Sequence, residues 1–371
     1  MSAILGIEST AHTFGIGIAK NRRILANVKK SYTTERGGII LSEAARHHEK
    51  YSKEIYNNAL KISGIKESEI QGVAFSQGPG LTSCLLVGLE FAKNLARKLN
   101  VPLIPVNHCV AHLEIGRITK AKDPVMLYAS GANTQIIAYA SGRYRIFGET
   151  LDIGVGNFLD NFARYLEIGF PGGPKIEQLA LHGKNYIELP YKVKGMDIAI
   201  SGIVTNLKQK IEKTKKDFGN SNWISWVGGE QIRETNLLNS QRAGLRIRGD
   251  GRWESYVNDL SFSAQETVFA MLVEISERAL AHVGKKELLL GGGVGCNKRL
   301  QEMCKIMCAS RKDGTKFFVP ENQFLVDNGA MIAFLGEIMF KSGIKFSGKQ
   351  ATKLEIKPKQ RTDEVEVSWR K

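Results

Sequence analysis

Ala3-Ile4-Leu5-Gly6-Ile7-Glu8-Ser9-Thr10 is an apolar strand run that delivers a small polar turn, and Thr13-Phe14-Gly15-Ile16-Gly17-Ile18-Ala19 brings the chain straight back. A second polar turn, Lys20-Asn21-Arg22, opens a third strand pattern, so residues 3–33 read as strand, turn, strand, turn, strand. Residues 125–151 repeat the plan: Val125-Met126-Leu127-Tyr128-Ala129, the turn Ser130-Gly131-Ala132-Asn133, then a hairpin return. Helical patterns follow each unit, at Leu41–Ile62 and Cys84–Leu99 after the first and at Asn157–Tyr165 and Lys175–His182 after the second. A third junction belongs with these two. The buried-strand run Glu287-Leu288-Leu289-Leu290-Gly291 opens onto Gly292-Gly293-Val294-Gly295-Cys296-Asn297 and a helical stretch, Lys298–Cys308. Glycines there let backbone approach a ligand closely, and the helix N-terminus suits anions or polar nucleotide groups.

Two such lobes facing each other describe an α/β protein with the two-lobed architecture shared by actin, sugar kinases and Hsp70-type ATPases (the ASKHA fold, with duplicated ribonuclease-H-like lobes). In that architecture a nucleotide lies between paired hairpin turns. The expected division is residues 1–120 for the first lobe, completed by about 328–371, and 121–327 for the second. A Gly/Asn/Ser-rich stretch at about 217–258 interrupts the second lobe and reads as an insertion. It holds Trp223, Trp226 and Trp253, and its arginines Arg233, Arg242, Arg246, Arg248 and Arg252 are balanced by acids. Helical periodicity resumes at Ser263-Ala264-Gln265-Glu266-Thr267-Val268-Phe269.

The chain has 371 residues, 43% hydrophobic and 24% charged, as expected of a globular protein with two fused lobes. No secretory signal pattern opens the sequence, and no apolar run reaches the roughly 18 residues that cross a bilayer. A cytoplasmic protein without membrane partners is expected, also nuclear if the source is eukaryotic. Five scattered cysteines point to free thiols, and Cys304 and Cys308 read as packing residues. A net charge of +15 favours a polyanion such as RNA. Lys20 to Lys50 carries eight Lys/Arg against three Glu, and Lys341 to Lys371 carries nine against four acids. No RNA-recognition signature of the ribonucleoprotein or KH type is present.

The apolar run Val101-Pro102-Leu103-Ile104-Pro105-Val106 leads directly into Asn107-His108-Cys109-Val110-Ala111-His112-Leu113-Glu114. Histidines four apart share one helix face and can converge on one cation, although two helix-surface histidines have the same spacing. Their position where a strand ends and a helix begins favours the metal reading. A zincin-type protease needs His-Glu-x-x-His, with the glutamate as general base. Cys109 occupies that place, points off the ligand face, and cannot act as that base.

Longer motifs span nearly the whole chain. They are Gly6-Ile7-Glu8-Ser9-Thr10-Ala11-His12-Thr13, Ser76-Gln77-Gly78-Pro79-Gly80, Pro105 through His112, Tyr128 through Gln135, and Gly148-Glu149-Thr150-Leu151-Asp152-Ile153. Val193-Lys194-Gly195-Met196-Asp197, Gly292 through Asn297, Val326-Asp327-Asn328-Gly329 and Gln360-Arg361-Thr362-Asp363-Glu364 complete them. In this order they resemble the universal tRNA threonylcarbamoyladenosine synthesis family, once described as O-sialoglycoprotein endopeptidases. The ending at Arg361–Glu364 and Trp369 is similar to the archaeal/eukaryotic branch, the catalytic subunit of the KEOPS complex.

The resemblance implies transfer of a threonylcarbamoyl group from threonylcarbamoyl-AMP to the exocyclic amine of the adenosine beside the anticodon of tRNAs reading ANN codons. It implies one Fe2+ or Zn2+ held by His108, His112, Tyr128 and Asp327, and an adenylate or ATP in the interlobe cleft lined by Tyr128, Ala129, Ser130, Gly131, Ala132, Asp160, Gly173, Glu177 and Asn297. Partner subunits, among them a small kinase-like ATPase and a dimerising subunit, come with it. Glu8, His108 and His112 are the expected catalytic group. Asp160 and Glu177 suit the ribose hydroxyls, and Glu8 can bridge to a metal-bound water or to the transferred group, or be a turn residue. His12, His47 and His48 read as structural or surface residues. Departures are Ser9 where relatives often carry Gly, Ile40-Leu41 where a His-Pro is common, and the long insertion.

Two readings from other classes compete: an ATP-dependent kinase of the same superfamily, and a nucleotide-sensing scaffold. The kinase lacks a suitably placed aspartate near Glu8 or Lys20, and retained metal ligands argue against an inert scaffold. Asp327 itself admits two roles. It ends an apolar run as a third metal ligand, or it caps the helical pattern that starts at Ala330.

Overall fold

A computed structural model describes residues 3–34, 38–217 and 251–370. The first lobe is built from β1 (Ala3–Glu8), β2 (Thr13–Lys20), β3 (Arg23–Ser31), α1 (Leu41–Ser63), β4 (Ile70–Gly78), α2 (Thr82–Leu99), β5 (Leu103–Asn107) and α3 (His108–Ile115). Its sheet has the order β3-β2-β1-β4-β5. The first three strands form an antiparallel meander, and β4 and β5 add in parallel.

The second lobe repeats this plan. It contains β6 (Val125–Ala129), β7 (Thr134–Ala140), β8 (Arg143–Glu149), α4 (Val155–Tyr165), α5 (Gly173–Ala180), the two-residue strands β9 (Val193–Lys194) and β10 (Asp197–Ile198), and α6 (Ser201–Asp217). Then follow α7 (Gly251–Val283), β11 (Glu287–Gly291), α8 (Lys298–Ser310), β12 (Lys316–Phe318) and α9 (Asn322–Leu325). The sheet order is β12-β11-β6-β7-β8, again a meander plus two parallel strands. The chain is an α/β protein with a two-lobed, actin-like fold. Among the described residues no helix is long and apolar enough to cross a membrane.

After α9 the chain returns to the first lobe. The helix α10 (Gly329–Lys341) lies across β1 and β2 at backbone contact distance. A Cβ on Gly6 would fall 2.1 Å from the Ala333 nitrogen, and one on Gly17 would fall 2.3 Å from the Ala330 nitrogen. Glycine is therefore required at both positions so that the helix can seat. Apolar residues fill a core between the first sheet and α1/α2, a second beneath α3 and α10, and a third among the second sheet and α4 to α8.

One boundary differs from expectation. The long helix α7 starts at Gly251, so residues 251–258 are helical rather than part of an irregular insertion. Val257 and Leu260 are buried in the second lobe's core, and Trp253 and Tyr256 pack at its edge. The apolar face thus begins well before Ser263, hidden in the sequence by intervening polar residues. Trp223, Trp226, Arg233, Arg242, Arg246 and Arg248 lie outside the described residues.

Beyond the short helix α11 (Gly348–Thr352), residues 354–370 form a strap with little regular structure. The Lys357 N–H donates to the Gln77 carbonyl at 2.7 Å, and the Gly80 N–H to the Pro358 carbonyl at 3.1 Å. Asn107 Nδ2 donates to Gln360 Oε1 at 3.1 Å. Farther on, Arg361 Nη2 reaches Glu149 Oε1 at 3.2 Å and Trp369 Nε1 donates to Glu114 Oε1 at 3.0 Å. The strap therefore joins both lobes and brackets α3 at its two ends.

Candidate metal centre and interlobe cleft

Asn107 caps α3, its side chain accepting from the Val110 N–H at 3.0 Å. That cap starts the helix where β5 ends and sends His108 and His112 from the first and fifth helical positions toward one point. Asp327 meets them there, with its Oδ1 3.4 Å from His108 Nε2 and 3.6 Å from His112 Nε2. One donor atom from each residue lies within 4.8 Å of the others. The Tyr128 ring packs on His112 at 5.2 Å between centroids.

The helix that follows Asp327 is capped by Asn328, whose side chain accepts from the Met331 N–H at 2.9 Å. Asp327 is thereby released from the capping role.

The residues present fit a cation. Both ring nitrogens of His112 are buried without a hydrogen-bond partner, an expensive condition that a ligand would relieve. Burial opposes a charge on His108, yet Glu8 and Asp327 overcome it and raise its pKa well above the usual value. Burial likewise disfavours the Asp327 carboxylate, but His108 and His112 hold its pKa well below the ordinary range. Burial lowers the pKa of His112. Two acids converging on one imidazole call for positive charge, and a metal at Nε2 supplies it where a proton otherwise must. Burial, with Cys109 and Asp327, lifts the Tyr128 hydroxyl well above the usual tyrosine range, so a phenolate there also needs a neighbouring cation.

Glu8 sits behind this cluster. It is 0% exposed, and its Oε2 accepts from His108 Nδ1 at 2.9 Å. Its Oε1 accepts from the Thr10 N–H at 2.7 Å and from the Thr10 hydroxyl. Both oxygens are engaged and neither faces the cleft, which differs from the expected bridge to a reacting group. The carboxylate instead fixes which nitrogen of His108 points outward, the familiar outer-shell arrangement at metal sites.

The cleft between the lobes has a volume of about 770 Å³. Of the expected residues, His108, Tyr128, Ser130, Gly131, Ala132, Asp160, Gly173, Glu177, Asn297 and Asp327 line it. Ala129 does not; it is 0% exposed, at the end of β6. His112 is also fully covered and reaches the cluster from beneath.

Asp160 Oδ1 accepts from the Gly172 N–H at 2.7 Å, and burial raises its pKa. Glu177 Oε1 accepts from the Lys298 N–H at 2.8 Å. The Gly173 N–H also bonds to the Asp160 carboxylate. Asn297 caps α8 through its side-chain oxygen and donates one amide N–H to Gln265 Oε1 at 2.7 Å.

Sequence reading missed several wall residues. Thr10 bonds to Glu8 and stands 3.2 Å from His108 Nδ1. Cys109 is outside the His108/His112/Asp327 group, and its thiol faces Tyr128 and Thr362 at the cleft wall, where burial raises its pKa. His12 also lines the cleft, edge-on to Phe170 at 5.2 Å. Pro358 to Thr362 form a further wall. Only the motif around Arg361 hinted at it, since an irregular strap has no periodicity to find.

Two matched lobes, paired hairpin turns, a glycine-rich strand–helix junction and a His/His/Asp cluster beside the cleft define a metal-suited member of the actin-like class. Among solved structures, the chain is similar to HypF of Thermococcus kodakarensis, with a TM-score of 0.56 at 13% identity over 92% of this chain and 48% of that one. That likeness concerns the fold alone. The TsaD family model, described as tRNA N6-adenosine threonylcarbamoyltransferase, matches residues 23–334. A protein of that name from Thermococcus kodakarensis is 48% identical over 98% of this chain and 99% of its own length. A "Probable tRNA N6-adenosine threonylcarbamoyltransferase" of Drosophila melanogaster is 43% identical over 100% of this chain and 99% of its own. A "Probable bifunctional tRNA threonylcarbamoyladenosine biosynthesis protein" of Methanosarcina mazei is 46% identical over 99% of this chain and 59% of its own length. The chain belongs to the tRNA N6-adenosine threonylcarbamoyltransferase family, and it is a transferase acting on tRNA.

Proposed function

We propose that the chain moves the threonylcarbamoyl group from threonylcarbamoyl-AMP to N6 of the adenosine next to the anticodon in tRNAs reading ANN codons. It acts in the cytoplasm, or also the nucleus of a eukaryote, as the catalytic subunit of a KEOPS-type complex with a small kinase-like ATPase and a dimerising subunit. The observation that carries this reading is the His108/His112/Asp327 cluster beside a cleft that Asp160, Glu177 and Asn297 also line. Those groups suit the adenosine half of the donor, with the carboxylates of Asp160 and Glu177 accepting from ribose hydroxyls. Residues 1–120 with about 328–371, and 121–327, serve as the two lobes that close on it.

His108, His112, Tyr128 and Asp327 would hold one Fe2+ or Zn2+, which when bound supplies Lewis-acid polarisation and a template for the donor. Glu8 orients His108, and the buried apolar surroundings of the cluster keep bulk water from competing for the donor. In the transfer the adenine N6 forms a C–N bond to the carbamoyl carbon while the bond from that carbon to the phosphate oxygen breaks. AMP leaves with the electron pair, and the N6 proton passes to the departing phosphate or to solvent.

The test is nucleoside mass spectrometry of tRNA incubated with the purified protein, its partner subunits and the donor. Threonylcarbamoyladenosine that forms with wild type and not with His112→Ala supports the reading. Phosphoryl transfer from ATP with no modified nucleoside would favour the kinase alternative.

A further inference from the structure

Most titratable side chains on the cleft wall are already spent. His108 and Asp327 meet in the metal cluster at 3.4 Å. Burial keeps the Cys109, Tyr128 and Cys296 protons in place by raising their pKa values. Glu149 answers Arg361 at 3.2 Å, Glu177 accepts from the Lys298 N–H at 2.8 Å, and Asp160 accepts from the Gly172 N–H at 2.7 Å. His12 stands apart. Its half-buried side chain lines the cleft, and among the described residues the ring makes no hydrogen bond or ion pair. Two contacts fix its place. The Tyr32 N–H donates to the His12 carbonyl at 2.8 Å, which ties the first hairpin turn to the chain just past β3. From the second lobe, Phe170 meets the ring edge-on at 5.2 Å, and the Thr34 N–H donates to the Phe170 carbonyl at 3.4 Å. The charge of the ring is felt by Asp160 on α4 and by Asp327 before α10, as well as by His47 and His48 of α1. His12 is therefore within electrostatic reach of both the acid assigned to the ribose and the acid of the metal cluster.

We propose that His12 is the proton acceptor for the attacking amine. The inference rests on the transfer reaction and assigns it a further catalytic residue. With the ribose at Asp160 and Glu177 and the acyl group at the metal end, the carbamoyl carbon lies along the stretch of cleft that His12 borders. Adenine N6 bonds to that carbon as the carbon–oxygen bond to AMP breaks, and one N6–H bond breaks with it. Its electron pair stays on nitrogen, and its proton goes to an imidazole nitrogen of His12. The imidazolium releases that proton to solvent when AMP and tRNA leave. Three physical points support this role. An ordinary imidazole titrates near neutrality, so it can both take and return a proton at physiological pH. The flanking carboxylates of Asp160 and Asp327 favour the cation that forms. The Phe170 edge holds the ring without using either nitrogen.

The experiment uses the full chain with its partner subunits. Single-turnover transfer to saturating tRNA is followed from about pH 5.5 to 8.5 for wild type, His12→Gln and His12→Ala. AMP binding, tRNA binding, metal content and a thermal melt are read beside it. The wild-type rate should rise with pH and level off. Both variants should be slower by about 100-fold or more, with the rising limb gone. Binding, metal content and the melt should match wild type. Added imidazole should restore part of the rate in His12→Ala and none in His112→Ala. A wild-type rate and pH profile in His12→Gln would overturn the proposal. So would a slow His12→Ala that imidazole does not rescue, because a lost fold or donor contact, not a lost base, then explains it. A wild-type complex that binds AMP and tRNA yet forms no threonylcarbamoyladenosine fails the transfer reading itself and takes this inference with it.

Discussion

Asp327 and Asn328 divide two tasks that adjacent residues could easily have confused. Because Asn328 makes the cap, Asp327→Asn should leave the fold intact and strip the metal, reducing transfer by about 100-fold or more if outer-shell losses of 10–100-fold are a lower guide. Asn328→Ala should do the reverse, costing about 1 kcal/mol of stability while metal content per chain is kept. Metal analysis beside a melt separates the two. Glu8→Gln keeps the shape but weakens the hold on His108 Nδ1, so metal affinity should fall by about 10–100-fold, read by chelator competition. A different histidine sets the acid limb of stability. His48 is buried against Phe14, and burial, aided by His47, pulls its pKa down from 6.5 to about 4. The unfolded chain then binds the proton more readily below pH 6.5, so this contribution is present above that pH and is lost as pH falls toward 4. The loss should be on the order of 2–3 kcal/mol, and His48→Gln should flatten it in denaturant melts between pH 7 and 4.

At the scale of elements, the seat of α10 on the first sheet decides where Asp327 stands. Gly6→Ala would drive a methyl into the Ala333 backbone, and the helix cannot yield locally as a side chain could. The expected cost is about 3 kcal/mol or more, with reduced metal content because the residue preceding the helix shifts with it. Urea unfolding and metal analysis check both. The hairpin units were legible because strand alternation and small-residue turns are local signals: the first three strands and α1 fall where the pattern put them. The strand–helix junction that carries His108 and His112 was legible for the same reason. The start of α7 was not, since Trp253, Tyr256 and Val257 form an apolar face whose partner is a distant core. For Glu8 the sequence left open a bridge to the reacting group or a turn residue, because spacing does not say which side of a turn a carboxylate takes; its bonds to His108 and Thr10 come only from the fold. Asn297 was placed in the cleft and lines it, but its cap on α8 was not legible from the glycine-rich run.

For the whole molecule, the strap is what makes two lobes one object. Trp369 and Arg370 converge on the buried Glu114, which also takes the Tyr144 hydroxyl. Trp369→Ala removes half-buried aromatic surface and one of these donors. It should cost about 2 kcal/mol in denaturant unfolding, and metal occupancy should drop because α3 loses its distal support. The strap reaches this helix from far away in the chain: Gln360 meets Asn107 across 253 positions. Order of synthesis therefore matters. While a ribosome is still making the second lobe, the nascent first lobe offers an ion two imidazoles and no carboxylate. A third donor is in place only when Asp327 arrives and the strap closes, so an ion bound by this cluster would be loaded after translation, and an incomplete chain would be a poor competitor for scarce metal.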